Sequence, residues 1–112
     1  MPNLEYFQCI PLSTFNTATI SGTYAALNGS GFDSAIRVMK IYNAGSAAVT
    51  ISYDGVTDHD IIPSDTTFQI SLQANHADNS AYGSGTLVGR QGQIIYGKGT
   101  AGTGNLYISG YF

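Results

Sequence analysis

The sequence predicts an all-β protein: an antiparallel β-sandwich of about seven or eight short strands, with either a jelly-roll or an immunoglobulin-like topology. Three observations support this fold class. Apolar and polar residues alternate with a period of two in several short runs, clusters rich in Gly and Asn separate these runs, and no segment shows a convincing helical pattern. The chain has no Trp, so the Cys–Trp–Cys pattern of antibody domains is absent.

The first 30 residues are predicted to form one or two strands, or an arm that reaches a neighbouring subunit. Residues 4–12 have a strand-like composition, but Pro11 restricts them to a sheet edge or a strand end. Cys9 is predicted to be a small buried residue of this strand. The glycines of the segment 28–31 then interrupt the pattern, so that residues 31–112 are expected to form the sandwich domain.

The stretch 36–72 is predicted to form the central strands of the sandwich. Residues 35–43 favour a strand, and the change of parity between Val38 and Met39 indicates either a β-bulge or burial on both faces. Residues 47–53 alternate cleanly, with Val49, Ile51 and Tyr53 on one side. Because the connection between these two strands is short, we expect them to form an antiparallel hairpin.

The C-terminal part repeats the alternation. Residues 66–72 place Phe68, Ile70 and Leu72 on one face, and a long polar loop over 73–86 follows. In the last run, Leu106 and Ile108 alternate with residues 107 and 111. The turn over 102–104 is predicted to join the last two strands as a hairpin.

The composition excludes several classes of protein. The chain has 112 residues, which indicates one domain, and only 10% of them are charged. A pI of 4.9 with four basic residues argues against nucleic-acid binding. No signal-peptide pattern and no apolar run long enough to span a bilayer are present, so we expect no membrane association.

The acidic loop is the first place to consider a metal ion. Asp54, Asp58 and Asp60 are weak candidates for Ca²⁺ ligands, with His59 and Asp65 nearby. Their spacing does not match an EF-hand, and Asp54 followed by Gly is typical of a turn. Turn chemistry is therefore the favoured interpretation, and no metal is assigned.

No catalytic constellation is evident, so the chain is predicted to be no enzyme and to need no cofactor. It holds two His and one Glu, too few for a three-histidine zinc site or a pair of catalytic Glu residues. The Ser residues have no nucleophile-elbow motif. The glycines between 97 and 104 lack the Lys-Ser/Thr of a P-loop and are interpreted as turn residues.

Two blocks resemble small β-rich structural proteins of tailed bacteriophages. They are IRVMKIYNAGSAAVTISYDGVTDHDIIP, residues 36–63, and GQIIYGKGTAGTGNLYISGYF, residues 92–112. The resemblance implies a non-enzymatic virion component: a capsid decoration or cement protein or, alternatively, a head–tail connector, collar or tail accessory protein. It implies assembly in the host cytoplasm, location in the virion, and contact with the major capsid protein or other virion proteins.

The predicted contacts with partner proteins are the N-terminal arm, two loops and tyrosines that are expected to be exposed. A homo-oligomer is expected, with a trimer as the favoured form. An alternative of another class is a receptor- or glycan-binding β module, in which tyrosines stack on sugars. The interface candidates are Leu4, Tyr6, Phe7, Asp58, His59, Tyr82, Tyr107 and Tyr111.

Overall fold

The computed structural model describes residues 8–71 and 88–112. In this part of the chain it contains strands and a single turn of 3₁₀ helix, Thr17–Thr19. The strands are β1 (Ser13–Asn16), β2 (Ala25–Ala26), β3 (Val38–Asn43), β4 (Val49–Ser52), β5 (Asp60–Ile62), β6 (Thr66–Ser71), β7 (Tyr96–Gly99) and β8 (Asn105–Tyr111). The all-β prediction is confirmed.

The strands form nested antiparallel pairs, as in one long hairpin folded at the middle of the strand order. Strand β4 pairs with β5, β3 with β6, β2 with β7 and β1 with β8, and all four pairs are antiparallel. The loop between β4 and β5 therefore closes one end of a long antiparallel ribbon, which is formed by the two halves of the same chain. This is the predicted acidic loop, where the turn at Asp54 and Gly55 reverses the chain.

The ribbon is rolled into a sandwich. Strand β8 also pairs with β3, and β7 also pairs with β4. The described residues therefore form a first sheet with the order β1-β8-β3-β6 and a second with the order β2-β7-β4-β5. This pairing is that of an eight-stranded jelly roll, which decides between the two predicted topologies.

The space between the sheets is filled by the predicted inward-facing residues. Ile51, Leu106 and Ile108 are all at most 1% exposed, as their alternation predicts. Burying one such side chain contributes about 1.5–3 kcal/mol to folding. The buried apolar core consists of Ile20, Leu27, Phe32, Ile36, Met39, Ile41, Val49, Ile51, Tyr53, Ile62, Ile95, Leu106 and Ile108.

The predicted hairpin between β3 and β4 is wrong, because these strands lie in different sheets. Asn43 ends β3 and is fully buried. Its Nδ2 donates to the carbonyl oxygens of Ala47 at 2.9 Å and Ile62 at 3.0 Å, while its Oδ1 accepts from the amide of Gly45 at 2.9 Å. These bonds make the short connection a corner that carries the chain from one sheet to the other.

The predicted hairpin between the last two strands is also wrong. Strand β7 belongs to the second sheet and β8 to the first, so the turn over 102–104 is another crossing. Gly104 has a φ of +90°, and a Cβ there would lie 2.5 Å from the carbonyl oxygen of Ala44. The two crossings thus pack against each other at one end of the sandwich, where only a glycine fits at this position.

Two further expectations about burial and register are corrected. Strand β3 is regular, since each residue from Val38 to Asn43 has one partner in β6 and one in β8. Neither the predicted bulge nor burial on both faces occurs, because Lys40 and Tyr42 face outward. Cys9 is exposed rather than buried, in an isolated bridge to Tyr111.

The described part of the predicted N-terminal segment is integrated into the sandwich. Strand β1 forms an edge of the first sheet, and Ile20 and Leu27 belong to the core. Residues 1–7 and the predicted loop over 73–86 lie outside the described residues, as does Leu72. Within the described ranges, no helix has the length and apolar character needed to cross a membrane.

Candidate functional site

The outer face of the first sheet presents a cluster of tyrosines. Cross-strand partners in an antiparallel sheet point to the same side, and the register places Tyr42 of β3 directly opposite Tyr107 of β8. Tyr111 lies four residues further along β8 on the same face. The prediction that Tyr107 and Tyr111 face away from Leu106 and Ile108 is confirmed. We call Tyr42, Tyr107, Tyr111 and Lys40 the tyrosine face.

Local contacts hold the aromatic rings of the tyrosine face in place. The rings of Tyr42 and Tyr107 are nearly parallel, with centroids 6.1 Å apart and an interplanar angle of 16°. The Tyr42 hydroxyl donates to Oδ1 of Asp65 at 2.8 Å, and this bond raises the pKa of Tyr42. Lys40 Nζ lies 5.5 Å from the centroid of the Tyr111 ring, within the range of a cation–π contact.

The strands that carry these rings bear little charge, although the Asp65 carboxylate, one residue before β6, accepts the hydrogen bond from Tyr42. Among the outward-facing strand residues that the structure describes in the first sheet, Lys40 is the one charged side chain. The others are neutral, and most are polar: Thr14, Asn16, Val38, Tyr42, Thr67, Gln69, Ser71, Asn105, Tyr107, Ser109 and Tyr111. Such a surface can be covered by a partner without the large desolvation cost of buried ions.

The second sheet has a different outer face, because the loop between β4 and β5 folds back onto it. Ser52 is fully buried although it lies on the outer side of β4. A Cβ at Gly55 would lie 3.2 Å from the ring of Tyr96 on β7. The absence of a side chain at Gly55 therefore lets the acidic loop pack closely over this sheet.

A cluster of three side chains fixes the far end of the acidic loop. Asp58 forms an ion pair with Lys98 of β7 at 3.1 Å, and it accepts a hydrogen bond from the hydroxyl of Tyr24. Lys98 Nζ also lies 4.7 Å from the centroid of the Tyr24 ring. Desolvation, followed by the bond to Asp58, raises the pKa of Tyr24 to about 12. Asp58 thereby connects its loop to the body of the sandwich.

Asp54 organises the start of the same loop. Its Oδ1 accepts from the amides of Val56 and Thr57, both at 2.8 Å, and from Ser52 Oγ at 2.9 Å. The bonds from Thr57 and Val56 hold the pKa of this carboxyl well below its usual range. The interpretation of Asp54 and Gly55 as a turn is confirmed.

The three Ca²⁺ candidates are engaged with different partners. Asp54 caps its turn, Asp58 pairs with Lys98, and Asp60 Oδ2 accepts from the buried hydroxyl of Tyr53 at 2.7 Å. In the described ranges, no group of three or more His, Cys, Asp or Glu side chains is arranged to hold a metal ion. These carboxylates act here as turn and loop anchors.

Two open depressions flank the acidic loop. One of about 440 Å³ lies between Tyr53, Asp54, Tyr96 and the segment 90–94. The other, of about 310 Å³, is lined by residues 58–61, where His59 Nδ1 accepts from the amide of Tyr53 at 3.0 Å. The second depression has little apolar or convergent polar surface to enclose a small ligand.

The predicted interface residues that the structure describes lie in two separate places. Tyr107 and Tyr111 are on the tyrosine face, whereas Asp58 and His59 are on the loop that covers the second sheet. The remaining candidates, Leu4, Tyr6, Phe7 and Tyr82, lie outside the described residues. The structure therefore does not bring Tyr107 and Tyr111 together with Asp58 and His59.

Sequence reasoning considered Tyr42 among the tyrosines that could line a contact, but it did not place Tyr42 and Lys40 on one face with Tyr107 and Tyr111. The parity change at Val38 and Met39 obscured which residues of β3 point outward. An alternative signal was available in the pattern Val38, Lys40 and Tyr42, which has the correct period of two. The link from Tyr24 to Asp58 has no local sequence signal, since 34 residues separate them.

Comparison with protein-family models, with curated proteins and with solved structures gives no match for this chain.

Proposed function

We propose that this chain is a non-catalytic structural protein of a tailed-bacteriophage particle, most simply a capsid decoration protein that stabilises the head shell. The observation that carries the proposal is the tyrosine face, an aromatic cluster on the outer side of the first sheet, where Lys40 is the one charged residue among the described outward-facing strand positions. The resemblance of the blocks 36–63 and 92–112 to small phage structural proteins supports the same conclusion. The jelly-roll fold alone does not, because it serves many functions.

The chemistry of the face suits attachment to another protein. Tyrosine is enriched at protein interfaces because its ring buries a large area while its hydroxyl remains able to form a hydrogen bond. Tyr42 is already held by Asp65, so little side-chain entropy is lost when a partner covers it. In this proposal the face docks on capsid subunits, and the area buried between neighbours resists expansion of the shell.

The first test is the copy number of the chain in purified particles, measured by quantitative mass spectrometry against the major capsid protein. We expect a copy number comparable to that of the capsid protein. A number limited to one ring would instead favour a connector or tail accessory role. Absence of the chain from the particle would overturn the proposal.

The second test locates the contact. The variant Tyr107→Ser/Tyr111→Ser should lose at least about tenfold in affinity for particles that lack the native protein. The matched control is Val56→Ser/Ile61→Ser, which removes two exposed apolar side chains, 82% and 68% exposed, from the other side of the sandwich. If the control loses binding and the tyrosine variant retains it, the tyrosine face is not the contact.

A glycan-binding module is the second candidate, and the parallel rings of Tyr42 and Tyr107 are the observation that favours it. Aromatic rings stack on sugars, and the neighbouring Thr14 and Asn105 could supply hydrogen bonds. A glycan-array signal that disappears in Tyr107→Ala and Tyr111→Ala, with no binding to particles, would favour this function over decoration.

A further inference from the structure

The sandwich has four edge strands in the described residues, and one of them differs from the rest. Strands β1, β2 and β5 have four, two and three residues. Short edge strands offer little backbone for unwanted pairing. Strand β6 has six residues, Thr66–Ser71, and forms the long open edge of the first sheet.

Within the described residues, strand β6 lacks the charge, the proline and the bulge that commonly prevent edge pairing. Its sequence, TTFQIS, contains no charge and no proline. Its register with β3 advances residue by residue from Thr66 to Ser71, so no bulge twists the edge away. Within the described ranges β6 pairs with β3 alone, which leaves the backbone groups on its other side without a strand partner.

The inner row of side chains is also incomplete at this edge. Phe68 and Ile70 point toward the core but are only half-buried. Their direct neighbours on β3, Ile41 and Met39, are both 0% exposed. A further strand with apolar residues at alternate positions would cover Phe68 and Ile70 while pairing with the edge of β6 that has no partner among the described strands.

We propose that β6 pairs, antiparallel and edge to edge, with β6 of a second copy of this chain. The strand itself has the required chemistry, because it is uncharged and alternates apolar with polar residues. A two-fold axis at Gln69 would place Phe68 of each copy beside Ile70 of the other, so that apolar residues meet on the inner side. No like charges would face each other across the new pair.

The dimer would also enlarge the surface that the first sheet exposes. The strands of the first sheet have four to seven residues. Four strands of about six residues cover roughly 400 Å², from a rise of about 3.4 Å per residue and a strand spacing of about 4.8 Å. A standard interface covers about 800 Å² on each partner. Joining two sheets at β6 brings two tyrosine faces side by side. The inference does not depend on attachment to a virion.

The test introduces like charges on the outward side of β6. In Thr67→Lys/Gln69→Lys, any antiparallel register centred on residue 68 or 69 brings lysines of the two copies together. Light scattering coupled to size exclusion should give twice the 11.8 kDa chain mass for the native protein. In the lysine variant, the dissociation constant of the dimer should be at least tenfold higher than in the native protein.

Two further variants make the result specific. Thr67→Asp/Gln69→Asp should also be monomeric alone, and an equimolar mixture with the lysine variant should restore the dimer. Thr14→Lys/Thr103→Lys adds the same two charges at exposed positions away from β6 and should dimerise like the native protein. Circular dichroism checks that each variant is folded.

Hydrogen exchange provides an independent readout on the unmodified chain. The amides of Thr66–Ser71 that do not bond to β3 should exchange faster on dilution, as the dimer dissociates. A native protein that stays monomeric at all concentrations would overturn the proposal. A dimer that persists unchanged in the lysine variant, or outer β6 amides that remain protected in the monomer, would overturn it too.

Discussion

At the scale of single residues, Asn43 determines where the chain changes sheets. Its Nδ2 group shares two protons among the carbonyl oxygens of Ala47, Ile62 and Pro63, at 2.9, 3.0 and 3.2 Å. These carbonyls belong to both sides of the ribbon, so one buried amide joins the crossing between the sheets to the end of β5. A buried backbone carbonyl without a hydrogen-bond donor is costly, so the fold depends on the donor that Asn43 supplies.

We predict that Asn43→Ala lowers the free energy of unfolding by about 2–4 kcal/mol, because it leaves buried carbonyls unsatisfied and opens a small cavity. Urea denaturation monitored by tyrosine fluorescence measures this loss. Asn105→Ala is the control: Asn105 makes a long bond of 3.4 Å to the Tyr107 hydroxyl, and its loss should cost less than about 1 kcal/mol. Equal losses in the two variants would contradict the role assigned to Asn43.

Asp54 makes stability depend on pH. Its pKa in the folded protein lies below the unfolded value of about 3.9, because the amides of Thr57 and Val56 donate to the carboxylate. Its contribution is therefore fully present above the unfolded pKa and is lost as the pH falls through the folded pKa. Asp58, whose pKa is also lowered, acts in the same direction.

We predict that Asp54→Asn lowers Tm at neutral pH and makes the decline of Tm between about pH 5 and pH 2 shallower. The asparagine can still accept hydrogen bonds, so the variant isolates the charge. Calorimetry across this pH range measures both effects. Asp33→Asn, which removes an exposed carboxylate elsewhere, is the comparison. An unchanged slope in Asp54→Asn would show that this turn does not carry the acid sensitivity.

At the scale of elements, residues 8–10 extend the first sheet beyond β1. The amide of Gln8 donates to the carbonyl of Phe112 at 2.9 Å, and the amide of Phe112 donates back at 2.7 Å. Ile10 donates to the carbonyl of Gly110 at 3.0 Å and packs against the core. This short pairing belongs to the folded body of the protein, so its loss should affect stability.

We predict that deleting residues 1–12 destabilises the protein by roughly 2–4 kcal/mol, because it removes three backbone hydrogen bonds and the packing of Ile10. Deleting residues 1–7 leaves all three bonds in place and is the control for stability. The same pair of variants tests the predicted arm. If residues 1–7 mediate attachment, the shorter deletion abolishes particle binding without changing the unfolding midpoint; retained binding would exclude that role.

The sequence predicted which residues of a strand face the core better than it predicted which strands pair with each other. Alternation located the inward residues of β4, β6 and β8, since burial on one face leaves a pattern with a period of two. It did not reveal that β3 and β4 lie in different sheets, because a short connection fits both a hairpin and a corner. The difference depends on the long-range bonds of Asn43 to residues 62 and 63, which no local pattern shows.

At the scale of the whole molecule, the sandwich has two outer sides with different electrostatics. The acidic loop lies over the second sheet, with Asp58 paired to Lys98, whereas the first sheet presents the tyrosine face. The separation of these surfaces was not predictable, because sequence reasoning placed residues of both in one list of candidates. It also makes the two possible contacts distinguishable by their response to salt.

If the proposed attachment to a particle uses the tyrosine face, we predict that the affinity changes less than about threefold between roughly 50 and 500 mM NaCl, because most contacts of this face are neutral and salt screens only charges. If the loop with Asp58 were the contact, attraction to a basic partner surface should weaken at least about tenfold over the same range. Surface plasmon resonance on immobilised particles measures this dependence. A strong loss of affinity with salt would favour the acidic loop over the tyrosine face.

The rolled ribbon also sets the order in which the protein can be completed during synthesis. Strand β8 lies between β1 and β3, and it is the last of the described strands to leave the ribosome. Strand β1 is made early and has no other described partner in its sheet, so it cannot pair until residues 105–108 of β8 have been made. Many larger proteins fold progressively from the N-terminus as they are translated. This jelly roll can close its first sheet only after translation has passed Tyr111.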